Sequence, residues 1–433
     1  MRFKKNYIIQ PKNRASTNKI IMFDRKEYFL LASLATAKFT HIMDFMVMMP
    51  LGPQLMRILS IDTQQFGILV SSYTISAGIA ALISAFFIDR FDRKSALMFA
   101  YTGFIIGTLL CALSSNYELL IMARIFTGIF GGLLNTLTLA IVGDLFQLQK
   151  RATATGIVMA AMSAAAAFGV PIGLYFSTIY GWNMPFFIIV GASLPIWMGL
   201  YYFVPSVKTH LLRATDEARP RFFDSLRATF GNANQVRGLF LSMSLVLSQF
   251  MIIPFIAPFM VKNIGFSEFQ LTYIYLVGGG VSLFTGPIIG RLADKHGHKL
   301  AFFWLAAFSC LPMLLITQMP PVPIGVALIA TSLFFILIGG RIIPSTTMLI
   351  SSIDGRNRAS FMSFNTAFQQ LAAGAAAILS GSILVDTPTA LLNYEYIGYI
   401  GIGLTFLAIG LAYSLRGVSK LQMSAPAASH TTT

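Results

Sequence analysis

The stretch that decides the fold is 84-SAFFIDRFDRKSA-96, where two carboxylates and three cations fill a gap between two long apolar runs. A second charged gap, 290-GRLADKHGHK-299, places Asp294 at an offset of 205 from Asp89. Around these gaps the chain is short of charge. Of its 433 residues 56% are hydrophobic and 11% charged, with mean hydropathy +0.72, whereas soluble proteins carry roughly 25% charged residues. Most of the surface therefore faces something other than water. Twelve apolar runs near the ~20 residues needed to cross a bilayer are expected at 28–56, 66–87, 96–114, 117–146, 152–180, 183–204, 238–262, 269–290, 299–318, 323–352, 359–384 and 395–415. In lipid each backbone polar group must be satisfied within its own segment, so these runs read as helices. The expected fold class is an all-α polytopic membrane protein.

A formal net charge of +15 invites a nucleic-acid reading, but the distribution argues against it. Of the 31 Lys and Arg, 26 fall on one side of this span map, and only Arg57 and Lys262 fall on the other. Lys38, Arg124 and Arg341 lie inside spans. The asymmetry follows the positive-inside rule and predicts cytoplasmic termini and a cytoplasmic central loop. The basic segment 1–27 lacks the apolar stretch and small-residue cleavage site of a signal peptide. Cys111 and Cys310 sit inside spans and read as buried thiols, with no metal or disulfide framework. The tail 424-SAPAASHTTT-433 is small and polar.

The longest polar interval divides the spans six and six. The expected organisation is a basic N-terminal segment (1–27), a six-helix bundle (28–204), a central loop (205–237), a second six-helix bundle (238–415) and a tail (416–433). Three landmarks recur in the same order. Asp89 answers to Asp294, Gly131-Gly132 to Gly339-Gly340 at an offset of 208, and Arg151-Ala152 to Arg358-Ala359 at 207. Near-constant offsets indicate a duplicated six-helix unit of the kind transporters use.

On these residues the sequence resembles the major facilitator superfamily across about 28–415. Both charged gaps are similar to that family's loop motif, roughly G-x-L-x-D-R-x-G-R-K. The fourth span, 119-LLIMARIFTGIFGG-132, resembles its intramembrane-Arg motif. The order 169-GVPIG-173 ahead of 181-GWNMPFF-187 is similar to the Gly-Pro signature of its proton-linked antiporters. The resemblance is greatest to the twelve-span drug:proton antiporter group, including bicyclomycin-resistance-like and arabinose-efflux-like exporters. It implies two halves that rock about a central cavity, energised by a proton gradient with no other cofactor. It also implies a monomer in a bacterial inner membrane. The loop motif departs from pattern: Ala85 and Asp92 replace glycines in the first copy, and His298 stands where Arg is usual in the second.

Acids inside a membrane are expensive and usually functional. Asp44, in 41-HIMDFMVMMPLGP-53, is the one acid near the middle of a span, with His41 one turn earlier. A buried carboxyl that exchanges a proton is the functional reading, with His41 modulating it. A permanently paired ion, or a contact to a cationic substrate, is the alternative. Arg124 stays charged and needs a carboxylate, for which Asp44 is the natural candidate; simple stapling or snorkelling is the other reading. Pro171 can kink its helix, and the resemblance gives Gly169, Pro171 and Gly173 the task of sealing the cavity during exchange. Pro254 and Pro258, in 249-QFMIIPFIAPFM-260, are expected kinks of a gating helix. Candidate substrate-cavity residues are Asn135, Gln249, Arg341, Asn365 and Gln369, and Asp44 mildly favours neutral or cationic cargo. By resemblance, Asp89, Arg90, Arg93 and Asp144, with Gly290, Arg291 and Asp294 of the second copy, form a cytoplasmic gate. Charge that merely sets topology is the simpler reading.

No P-loop, metal cluster or nucleophile elbow occurs in the sequence, so enzyme classes are not supported. The expected function is proton-coupled export of a small organic compound. Import or facilitated movement of a metabolite such as a sugar, or a non-transporting receptor or scaffold, remain alternatives.

Overall fold

The computed structural model describes residues 23–84, 90–206, 227, 229–353 and 358–415. Asp89 of the expected gate, most of the N-terminal segment and central loop, and the tail from 416 lie outside these residues.

The N-terminal half comprises α1 (Arg25–Val47), a short α2 (Gly52–Ile58), α3 (Thr63–Ser84), α4 (Arg93–Leu113), α5 (Tyr117–Leu145), α6 (Leu148–Ala164), α7 (Val170–Tyr180) and α8 (Met184–Phe203). In the C-terminal half follow α9 (Ala233–Ile252), α10 (Ile256–Phe259), α11 (Glu268–His296), α12 (His298–Thr317), α13 (Ile324–Ser351), α14 (Arg358–Ile383) and α15 (Tyr394–Ser414). A two-residue antiparallel ribbon, Val385–Asp386 with Leu391–Leu392, is the one departure from helix among the described regular elements.

Local chemistry explains the helix boundaries. Helix α1 opens on a capping box in which the Asp24 side chain and Glu27 satisfy each other's backbone N–H groups; Ser267 and Gln270 do the same for α11. The expected single span 28–56 is broken at Val47. Pro50 and Pro53 donate no backbone hydrogen bond, so the chain turns and restarts as α2 with Pro53 in its first turn. A π turn at Ala165–Gly169 joins α6 to α7 just before Pro171, whose missing N–H disrupts the regular ladder. Pro254 lies in a 3₁₀ turn, and a π turn (Met260–Ile264) follows Pro258. The first helix of the second half begins at Ala233, capped by Asn232 and five residues ahead of the expected 238.

Eleven helices among the described residues are long and apolar enough to cross a membrane. The expected eleventh span forms α14, which at 26 residues has the length but carries Asn365, Gln369 and Gln370. Large apolar side chains such as Phe99, Met122, Phe284 and Ile329 stand exposed on the outer surface, as a lipid-facing protein requires.

At one end of the molecule, where α1 starts and α15 stops, contacts tie helices together within each half. Lys150 Nζ meets Glu27 Oε2 at 2.7 Å, and Lys299 Nζ meets the Tyr413 carbonyl at 2.8 Å. We call this the terminal end. At the opposite, distal end the halves close on each other. Helix α3 runs along α14 so tightly that a Cβ at Gly67 would strike the Ala377 carbonyl, and one at Gly381 the Thr63 carbonyl. Thr63 Oγ1 donates to the Leu384 carbonyl (3.1 Å). Arg57 pairs with Glu268 at 2.6 Å, joining the two halves. The second seam sets the π turn before α7 against α11, where Gly279 allows the Ala166 backbone to approach.

Candidate functional site

A ladder of polar residues joins two antiparallel helices inside the N-terminal half. Lys38, His41 and Asp44 are spaced by three along α1, so they share one face. Across from them α5 presents Asn135, Gly131 and Arg124 in the reverse order.

The deepest rung is an ion pair. Arg124 Nη1 lies 2.8 Å from Asp44 Oδ2, and both residues are 0% exposed. Thr108 Oγ1 from α4 donates to the other carboxylate oxygen at 3.3 Å. The guanidinium also sits 4.3 Å from the centre of the Tyr73 ring of α3, a cation–π contact in a site shielded from water. Each charge removed from water costs several kcal/mol unless well paired. The pair is thus a closed unit, and the Asp44 charge is already taken by Arg124. In this structure Asp44 has no free charge to offer a cationic cargo.

The middle rung lacks side-chain hydrogen bonds. His41 packs between the rings of Tyr73 and Phe104, 6.3 and 5.9 Å between centroids. Neither His41 ring nitrogen nor the Tyr73 hydroxyl has a side-chain hydrogen-bond partner among the described residues. All three are buried, and such groups are rare in native proteins. Gly131 makes the arrangement sterically possible, because a Cβ there would collide with the Tyr73 hydroxyl and His41 Nε2.

The rung nearest the terminal end is a buried amine. Lys38 is 6% exposed, and its Nζ donates to Asn135 Oδ1. Sequence reasoning placed Lys38 inside a span and gave it no role; the 38–41–44 spacing was the available signal. It also missed Tyr73 and Thr108, which only the packing of α3 and α4 against α1 brings to the ladder.

The other predicted cavity residues are distributed differently. Gln249 on α9 is buried, and its neighbour Phe250 meets Phe45 of α1 across the halves at 5.9 Å. Asn365 on α14 is buried with its Oδ1 unpartnered among the described residues, and Gln369 is half-buried one turn on. Arg341 lies elsewhere. It is 0% exposed inside the C-terminal half, held by Thr405 Oγ1 (2.9 Å), Ser309 Oγ (3.1 Å), Ser248 Oγ (3.2 Å) and the Leu245 carbonyl (3.4 Å). Its side chain fills the interior of α9, α12, α13 and α15 rather than a cavity between the halves.

Gly169 packs against Met43 and Phe39 of α1, and Gly173 against Val47, with Pro171 buried between them. The Gly-Pro segment therefore touches the helix that carries Asp44. In the expected gate, Arg93 Nε pairs with Asp144 Oδ2 at 3.0 Å, fastening the start of α4 to the end of α5 within one half. Asp92 caps α4 through the Ser95 N–H (3.2 Å) and accepts from Ser206 Oγ (3.0 Å). Arg90 and Arg291 are exposed, and Gly290 has no close neighbour. Asp294, 75% exposed, meets only His298 at the start of α12 among the ion pairs of the described residues. Both lone distal cations are paired. Arg57 takes Glu268, and Lys262 takes Asp386, around a distal cavity of about 280 Å³. Among the described residues no cluster of side chains could hold a metal ion.

Comparison with known proteins places this architecture. The family model described as Major Facilitator Superfamily matches residues 34–377 and 238–431. The MFS-type transporter YwfA of Bacillus subtilis (strain 168) is 24% identical over 397 residues, covering 88% of this chain and 90% of the relative. The efflux pump dotC of Dothistroma septosporum is 37% identical over 142 residues, 32% of this chain and 24% of that protein. Among solved structures, the D-xylose-proton symporter superposes with a TM-score of 0.72 at 18% identity, covering 88% of this chain and 96% of the symporter. That likeness shows the fold alone. The matched family and relatives are transporters, not enzymes.

Proposed function

The chain belongs to the major facilitator superfamily of membrane transporters, and from that premise we propose that it is a proton-coupled antiporter exporting a small organic compound. Helix α14 then serves as the eleventh span in chain order, which brings the total to twelve and completes two six-helix halves. With both termini cytoplasmic, as the charge asymmetry favours, the distal end where the halves close on each other faces outward.

The observation that carries the reading is the fully buried Asp44–Arg124 pair. A guanidinium stays protonated, so the variable member is Asp44. When a proton takes Arg124's place on Asp44, the cation keeps the Tyr73 ring as a neighbour and loses its counter-ion. Leaving a buried charge uncompensated costs about 3–5 kcal/mol, enough to drive a rearrangement between α1 and α5. His41 and Tyr73, adjacent and without side-chain hydrogen bonds, supply polar groups between this pair and the terminal end. Because Gly169 and Gly173 pack on α1, a shift of α1 is felt directly at the seam that α7 makes with α11. Export is favoured by the Gly-Pro segment and by the similarity of one third of the chain to an efflux pump.

The test is accumulation of candidate compounds in proteoliposomes under an imposed pH gradient. Wild type accumulates compound against the gradient of protons, and Asp44→Asn binds it without accumulation. Coupled transport by Asp44→Asn would refute the proposal, and accumulation in the direction of proton flow would identify an importer.

A further inference from the structure

Four charged side chains lie buried inside the span-length helices, beyond the first turn of each, among the described residues: Lys38, Asp44, Arg124 and Arg341. Asp44 and Arg124 cancel. Arg341 is enclosed by four oxygen atoms of its own half. Lys38 alone combines burial with a single neutral partner, the amide oxygen of Asn135. An ammonium has three N–H donors, and a side-chain amide does not offset the cost of taking a full charge out of water.

Position gives this cation its meaning. Lys38 and Phe45 are seven residues apart on α1, two helical turns, and so occupy the same face. Phe45 touches Phe250 of the other half while stacking on Tyr73 of its own, so this side of α1 lies where the interior of the half borders the inter-half region. Asn135 is partly buried rather than fully so, so the Lys38–Asn135 pair is less enclosed than Arg341, which is 0% exposed.

We propose that Lys38 is the binding point for an anionic group, and that the cargo is a small organic acid carried as its carboxylate. The carboxylate accepts from the Lys38 ammonium, Asn135 supplies a neutral amide donor beside it, and the apolar body of the ligand lies against Phe45 and Phe250. A cationic cargo would meet repulsion at Lys38 and find no free carboxylate at Asp44. The inference deepens the transport reading of the same wall, yet binding is measured without any gradient, so the two fail separately.

The experiment uses purified full-length protein in detergent, with the thermal midpoint as readout. Probes are matched acid and amide pairs: benzoate and benzamide, phenylacetate and phenylacetamide, octanoate and octanamide. Tetraphenylphosphonium is the cationic control. The expected result is stabilisation by one or more acids and not by the paired amide. Lys38→Gln weakens that acid about 10- to 100-fold, the worth of a charge-assisted hydrogen bond, and Lys38→Arg retains most of it. Without ligand, Lys38→Gln melts no lower than wild type, because an uncompensated charge has been removed; a lysine serving only as a structural donor would melt lower when replaced. Stabilisation by amides or tetraphenylphosphonium in preference to acids, no acid binding across the panel, or unchanged acid affinity in Lys38→Gln overturns the proposal.

Discussion

Replacing Arg124 by Met isolates the energetics of the central pair. The variant leaves Asp44 fully buried, with Thr108 at 3.3 Å as its remaining side-chain donor. Removing one member of a buried pair costs about 3–5 kcal/mol, and losing the contact over Tyr73 at 4.3 Å adds about 0.5–2 kcal/mol. Asp44→Asn strands Arg124 instead, at a similar cost of about 3–5 kcal/mol. The double variant carries no buried charge at this position, so its loss is smaller than the sum of the singles. The expected coupling energy is about 3 kcal/mol or more, against about 0–1 kcal/mol for an exposed pair. Unfolding of the four proteins by dodecyl sulfate titration in mixed micelles, followed by far-UV circular dichroism, supplies the cycle. Coupling below about 1 kcal/mol would refute the claim that Asp44 and Arg124 form one desolvated unit.

Gly131→Ala places a methyl against the Tyr73 hydroxyl and His41 Nε2, and overpacking of this kind costs about 1–3 kcal/mol. Adding Tyr73→Phe removes one clashing atom and recovers part of the thermal midpoint. Gly67→Val drives a side chain into the backbone of α14, where nothing can rotate away. Spin labels at positions 63 and 384 then report a wider distal separation than in wild type. Arg57→Ala breaks an ion pair whose Arg side chain is 63% exposed, so stability changes by less than about 1 kcal/mol. The same substitution raises the fraction of distal-open molecules in the labelled protein. Arg341→Met leaves the order of preference among bound compounds unchanged, since its partners all belong to the interior of the C-terminal half.

The membrane architecture was legible because a bilayer leaves the backbone few choices. Long apolar runs become helices, and repeated charged gaps mark the repeat. Where one run held two proline breaks, as in 28–56, length alone overextended the helix, and Pro50 and Pro53 carried the correction. The Asp44–Arg124 partnership was inferable because each is expensive without the other. The surroundings of Arg341 were not legible for a physical reason. A sequence shows that a cation lies within a helix, but not whether its face turns to the inside of its own bundle or to the space between bundles. Three hydroxyls on three other helices settle that, and no local spacing announces them. Lys38 was visible in the 38–41–44 spacing. The sequence offers no partner for it on its own helix, and only the contact with Asn135 shows where the amine goes. The gate residues were read from a loop motif whose Asp89 lies outside the described residues. In this state Arg93 and Asp144 tie two helices of one half together.

The central claim is that Asp44 exchanges Arg124 for a proton during the cycle, and infrared difference spectroscopy of the purified protein tests it most directly. Spectra recorded with and without bound compound should differ by a protonated-carboxyl carbonyl band that is present in wild type and absent in Asp44→Asn. The same band in both proteins, or in neither, would contradict the account.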